Sequence, residues 1–322
     1  MFMEGRAINR QRNAALATIL IAVIIFGMVA CGGGSAQVGL IKPRATPLPT
    51  STPLPPLPTE PPPGSEQNPI VLALVNTSDA ASFSSQVEDL SATLSDESGL
   101  VVEVTVVETY GEALAALCSG QAHVISAQAF AYLAAVERQC GTGVYIAEMD
   151  GMFATQGQMV TLAGREIFTV KGFSGYRFCR PDANSVNGWI VPAFSLRKNE
   201  VNPLTDLFSV TDSGGDEEVI QALLDFHCDA GASALGAEAD VPNSGDIRVI
   251  ETLPPVPNDT ILITTQLDER TQQKITDLLD DHKDDLAELI GADGLETSDD
   301  TAFDELRQLM SDARVDAASM SK

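Results

Sequence analysis

The chain reads as an α/β protein of two lobes with like design, each a mostly parallel sheet flanked by helices. Three observations predict this. Apolar runs of strand length alternate with helical patterns from residue 69 to 126, and the same alternation returns between residues 176 and 233. Two further segments, at residues 159–162 and 253–260, have the position of crossings between the blocks.

The first block opens with residues 69–75 (PIVLALV), a continuous apolar run that suits a strand buried on both faces. Asn76, Thr77, Ser78 and Asp79 follow, good N-cap residues ahead of a helical pattern over residues 80–94. Residues 101–107 are rich in β-branched side chains and read as a strand, 110–117 as a helix, and 123–126 as a third strand after Gly120. The second block repeats this order: strand 176–180, helix 189–196, strand 207–210, helix 217–226, strand 229–233. In both blocks a helix end, a cysteine and a short strand of small residues follow one another, at 115–124 and 223–232. After the second crossing comes the strand 261–264. Residues 269–289 then form an amphipathic helix with Ile275, Leu278, Leu279, Leu286 and Leu289 on one side, and 303–310 form a last helix. A chain that crosses twice brings these helices back to the first lobe. The expected organisation is therefore 1–31 signal, 32–67 tether, 68–158 first lobe, 159–255 second lobe, 256–316 crossing and returning helices, and 317–322 tail.

The amino terminus carries a targeting signal. Arg6, Arg10 and Arg12 precede an apolar run over residues 14–30, which ends in Met28-Val29-Ala30-Cys31. A positive head, an apolar stretch and small residues before a cleavage point mark a secretory signal. The last four residues resemble a bacterial lipobox, which makes Cys31 the expected lipidation site. A single uncleaved anchor helix is the rival reading, the run being near the lower length limit for a bilayer span. Both place the rest of the chain outside the cytoplasm, tethered to a membrane. The Pro-rich stretch 43–64 is an extended spacer.

A formal net charge of −26 argues against nucleic acid as a partner and against lying flat on anionic lipid. With Cys31 consumed by lipid, Cys118, Cys140, Cys179 and Cys228 remain, an even number in an oxidising compartment. Three pairings are possible. Lobe membership favours Cys118–Cys140 and Cys179–Cys228. A metal site is not expected: the chain has no CxxC, and His123, His227 and His282 are scattered. Nucleophile elbow, P-loop, dinucleotide and zinc signatures are absent as well, so no enzyme and no cofactor is expected.

One segment points to ligand chemistry. Residues 180–192 (RPDANSVNGWIVP) leave a strand and open a helix, and they are dense in small polar residues. Exposed N–H groups at a helix start form an anion site, to which Asn184, Ser185 and Asn187 add side-chain donors. An ordinary N-cap explains the same residues. Pro192 lies deep for a first turn.

Residues 182–192 resemble the Asp-Pro-x-Ser-Thr-Ser-Gly-(aromatic)-x-x-Pro motif of the phosphonate-binding-like solute receptors of ABC importers. The likeness extends through residues 71–79, Thr109-Tyr110, Ala131-Tyr132, 228–232 and 248–259. It implies a type II periplasmic-binding-protein fold whose lobes close on a phosphonate, phosphite or phosphate. It also implies a monomer, tethered to the membrane by its lipid, that works with a permease and an ATPase. The implied ligand set is Asn76, Ser78, Tyr110, Gln158, Asn184, Ser185, Asn187, Asp216 and Asp259. Within it, Asn184 and Ser185 donate to the oxyanion, and Asp259 reaches an amine or hydroxyl end. The chain departs from the pattern at Val186 and Asn187, at Asp216 where a histidine is usual, and at Gln158 where a tyrosine is usual. A carboxylate facing a dianion is repulsive, so a zwitterionic or less charged phosphorus compound is favoured over bare phosphate. A sensory or scaffold module of the same fold, with another small polar ligand, is the alternative.

Overall fold

The computed structural model describes residues 61–75 and 83–320. The signal with Cys31, most of the tether, residues 76–82 with Asn76 and Ser78, and residues 321–322 lie outside the described residues. No helix among the described residues is long and apolar enough to cross a membrane.

The first lobe begins with β1 (Ile70–Val75), α1 (Phe83–Ser98), β2 (Val102–Val107), α2 (Tyr110–Ser119), β3 (Val124–Ala127), α3 (Ala129–Glu137) and β4 (Gly141–Glu148). Thr109 caps α2 by accepting the Glu112 N–H, and Gly120 ends it in the left-handed region at φ 77°, a conformation glycine adopts without strain. The crossing strand β5 (Ala154–Thr155) leads into the second lobe. That lobe holds β6 (Gly157–Leu162), β7 (Arg177–Arg180), α4 (Val191–Lys198), β8 (Ser209–Asp212), α5 (Asp216–Leu224), β9 (Ala230–Ala234) and β10 (Ile247–Thr252). Return is through β11 (Val256–Pro257), which pairs with β5, to β12 (Thr260–Thr264), α6 (Glu269–Asp281), α7 (Lys283–Ile290), β13 (Gly294–Thr297) and α8 (Asp304–Ala313).

The strand orders are β13-β4-β12-β3-β1-β2 and β10-β6-β9-β7-β8. In each sheet the strands of the β-α-β-α-β block pair in parallel (β3-β1-β2 and β9-β7-β8), and the strands beyond them pair antiparallel. The like design is therefore a matched topology: β1, β2, β3, β12 and β4 occupy the places of β7, β8, β9, β6 and β10.

Both crossings leave from the same edge. Strand β12 starts, and β4 ends, where β1, β2 and β3 have their carboxyl ends, because β12 runs antiparallel to β3 and β4 antiparallel to β12. Likewise β6 starts, and β10 ends, at the carboxyl ends of β7 and β9. The carboxyl edges of the two parallel blocks thus meet across the crossings, and this is the edge at which α/β sheets bind ligands.

Cys118 bonds Cys140 across the end of α2 and the start of β4, with Cα atoms 4.9 Å apart. Cys179 in β7 bonds Cys228, just before β9, at 5.8 Å. Each pair ties elements of one lobe, as lobe membership predicts.

Four sequence expectations change. Residues 159–162 are not a crossing but the body of β6, whose side chains are all buried; the crossing lies just ahead of it. The 269–289 helix is broken at His282 (φ −119°, ψ 26°). Its imidazole reaches Glu97 at 2.9 Å and Asp285 at 3.2 Å, and the bend lets both Leu279 and Leu286 enter the core under α1. The helix expected at 189–196 begins as a π-turn at Val186–Ile190 before α4. Pro192 then falls in the first turn of α4, where its missing N–H costs nothing. Finally, α6 and α7 pack on the first lobe, but α8 also lies against α4 of the second.

Candidate functional site

On the first lobe, Tyr110 opens α2 and Asp259 immediately precedes β12, so both stand at the carboxyl edge. The Tyr110 hydroxyl donates a short hydrogen bond to Asp259 Oδ2. Asn258 Nδ2 holds the segment by donating to the carbonyls of Ala147 (3.1 Å) and Met152 (2.8 Å). Burial pushes the Asp259 carboxyl up from its usual range, and the Tyr110 hydroxyl pulls it partly back. Burial, then the nearby Asp259 charge, pushes the Tyr110 phenol far above its ordinary value. Tyr110 is therefore a fixed donor and Asp259 a carboxyl poised to gain a proton or a cationic partner.

On the second lobe, Ser185 is the N-cap of the π-turn. Its Oγ accepts the Gly188 N–H at 3.0 Å, and its carbonyl accepts both Trp189 and Ile190 N–H at 2.9 Å. The Asn184 N–H donates to Asp182 Oδ1 at 2.6 Å. The N–H groups of Val186 and Asn187 sit in the first turn, where no helical carbonyl serves them. Packing beneath the loop leaves no room for a side chain at Gly188, where a Cβ would lie 2.2 Å from Pro181 Cδ. At Gly157 a Cβ would lie 2.4 Å from the Asn187 carbonyl oxygen. Two glycines thus let the Ser185 turn settle onto the start of β6. Behind it Arg180, at the end of β7, stacks on Trp189 at 4.4 Å and donates to Asp212 at 2.6 Å.

The start of β6 places Gln158 beside this loop, fully buried. Its Nε2 donates to Ser233 Oγ at 3.3 Å and to Glu238 Oε2 at 2.5 Å, and its Oε1 is buried and has no partner among the described residues. Asn187 Oδ1 is a second buried acceptor that has no partner among the described residues. Asp216 opens α5 and accepts the Ala234 N–H at 2.6 Å, so one of its oxygens is committed to the end of β9.

Gln158, Asn184, Ser185, Asn187 and Asp216 therefore gather at the carboxyl edge of the second lobe, and Tyr110 with Asp259 at that of the first. Asn76 and Ser78 are outside the described residues. Glu238 was missed by sequence reasoning. Its place a few residues beyond the carboxyl end of β9 becomes visible only once the sheet is assembled. Chemically the edge offers backbone N–H donors and the Asn187 amide oxygen at the Ser185 turn, and carboxylates and the Gln158 amide oxygen beside it. It fits a guest that is anionic at one end and carries N–H or O–H donors at the other.

The family model for periplasmic substrate-binding proteins of phosphonate ABC transporters matches residues 72–303. No curated protein matches the chain. Among solved structures, a Xanthomonas citri protein, XAC2383, bound to ATP is 17% identical. It aligns over 78% of this chain and 98% of its own, with a TM-score of 0.53. The same protein bound to chloride aligns over 76% and 97%, at 18% identity and a TM-score of 0.52. PhnD1 of Prochlorococcus marinus, in complex with methylphosphonate, is 14% identical over 76% of this chain and 98% of its own, with a TM-score of 0.46.

Proposed function

The chain belongs to the family of periplasmic substrate-binding proteins of phosphonate ABC transporters, and from that premise we propose that it captures a phosphonate bearing an amine or hydroxyl end. The oxyanion sits on the N–H groups of the Ser185 turn, where the positive end of the helix dipole and the Asn184 and Ser185 side chains receive it. Asp259 and Glu238 take the donor-bearing end, and Gln158 Oε1 and Asn187 Oδ1 find in it the donors they lack. Closing of the lobes about the two crossings buries the guest, and an open–closed difference is what a permease reads. The chain has no catalytic part in this; it hands the ligand on. The observation that carries the reading is the Ser185-capped turn at the edge that also bears the Tyr110–Asp259 pair.

Anchoring is through lipid on Cys31, with the Pro-rich tether as spacer and a monomeric receptor beyond it. Mass spectrometry of the mature amino terminus checks this: a diacylglyceryl cysteine at position 31 is expected, and an intact residue 1 refutes it.

The ligand is tested by titration calorimetry with methylphosphonate, an aminoalkylphosphonate, phosphite, phosphate and sulfate. The aminoalkylphosphonate is expected to bind tightest. Ser185→Ala is expected to weaken it by about 1–2 kcal/mol, five- to thirtyfold, because a hydroxyl meeting a charged oxygen is lost. Silence from every phosphorus compound removes the assignment. A sensory module with a different polar ligand is favoured by the losses at Val186 and Asp216; it predicts binding of a non-phosphorus solute and no effect of Ser185→Ala on it.

A further inference from the structure

The lobes touch through more than their crossings. One apolar cluster takes in the α2–α3 side of the first sheet, with Leu114, Ile125 and Phe130. It continues into Met159, Phe178 and Phe194 on the α4 side of the second. The opposite faces hold two separate clusters, one under α1, α6 and α7 and one under α5. The body is thus fused on one side of the crossings only.

Helix α8 makes the fusion. Its Leu306, Leu309, Met310 and Ala313 are buried in the shared cluster, and its axis lies against α4. Phe130 of α3 meets Phe194 of α4 edge to face, ring centroids 6.0 Å apart, with both rings at most 3% exposed. At the far end of the layer Lys198 of α4 pairs with Asp312 of α8 at 3.5 Å. The segment after α8 turns back onto α3, so α8 is held to the first lobe at both ends while its side binds the second. Pulling α4 away would expose this whole layer to water, whereas among the described residues no continuous apolar cluster is parted when the α5 side moves away from the α1 side.

We propose that the α3–α4–α8 layer is a permanent joint, a third tie between the lobes, about which the second lobe rolls while the opposite rim opens and shuts. This rests on the closing reading above. Packed helices slide by small shears, so the joint confines motion to one axis and fixes the entrance on the α1–α5 side. It also makes α8, far from the ligand edge in sequence, a determinant of the open–closed balance.

The test is electron–electron distance spectroscopy on the ligand-free full chain, with spin labels at exposed positions. One pair spans the joint (R197C with Q308C) and one spans the rim (E88C with E217C). The joint pair is expected to give one distance, about threefold narrower in spread than the rim pair. Leu309→Ala is expected to broaden the rim distribution further. A joint pair as broad as the rim pair, or a rim indifferent to Leu309→Ala, overturns the joint. Narrow distributions at both pairs overturn the closing reading itself, and the joint with it.

Discussion

Tyr110→Phe isolates the hydrogen bond that ties α2 to the residue before β12. The variant keeps the ring and deletes only the hydroxyl that donates to Asp259. The carboxyl is already held above its usual range by burial, and the Tyr110 hydroxyl is the group that opposes this. Removing it leaves a mostly desolvated carboxylate without that donor. A hydrogen bond to a charged group contributes about 1.5–3 kcal/mol, so the variant loses that much stability at pH 7. As pH falls, Asp259 gains a proton and the lost bond becomes a neutral one, worth about 0.5–1.5 kcal/mol. The gap between wild type and variant therefore narrows towards acid. It does so from a higher pH than an ordinary carboxyl would require, because the folded carboxyl is raised. Tyr110 itself stays protonated throughout, since its phenol is pushed upward. Urea unfolding at a series of pH values from neutral to about 4 reads the difference directly. A penalty that is absent at pH 7, or the same at every pH, would refute the reasoning.

Three other outcomes follow from the geometry. His123 is buried and accepts the Val71 N–H on Nδ1 at 3.1 Å, and burial lowers its pKa below the ordinary value of about 6.5. The unfolded chain then binds the proton first, so the stability held above about pH 6.5 is lost as pH falls below it, and His123→Asn flattens that slope in pH-dependent urea unfolding. His282 has the opposite sign: its contacts with Glu97 and Asp285 raise its pKa. The stability it adds is complete below about pH 6.5 and disappears as pH rises through the folded value; Glu97→Gln removes the larger part of this dependence and leaves the part that Asp285 supplies. Replacing Cys179 and Cys228 together by Ser frees a loop with a sequence separation of 49, and unfolding should become easier by about 4 kcal/mol in chemical denaturation. An unchanged midpoint would show that the bridge adds nothing.

Reading the residues in order recovered most strands and helices of the parallel blocks, because a continuous apolar run and a 3.6-residue pattern are local signals. Strand β4 escaped. Residues 141–148 contain two glycines and no sharp boundary, and the strand exists because β12 and β13 flank it on both sides. The break at His282 escaped too, since its causes, Glu97 and the core under α1, are remote in the chain. Segment 180–192 was legible as a strand-to-helix loop because its small polar residues and Gly188 lie together in the chain. Glu238 was not, because nothing local separates it from the many surface acids of so acidic a chain; its meeting with Gln158 spans 80 residues.

Residue order alone determined the two-block α/β plan, the cysteine pairing by lobe and the helix start that offers its N–H groups at Ser185. All of these depend on neighbours within a few tens of residues or on which block a residue belongs to. Tertiary structure decided that both carboxyl edges meet, that Tyr110 reaches Asp259, that two amide oxygens are buried with no partner among the described residues, and that α8 packs against both lobes. Those are distances between chain segments far apart in sequence, and they follow only from how the sheets and helices bury one another's apolar faces.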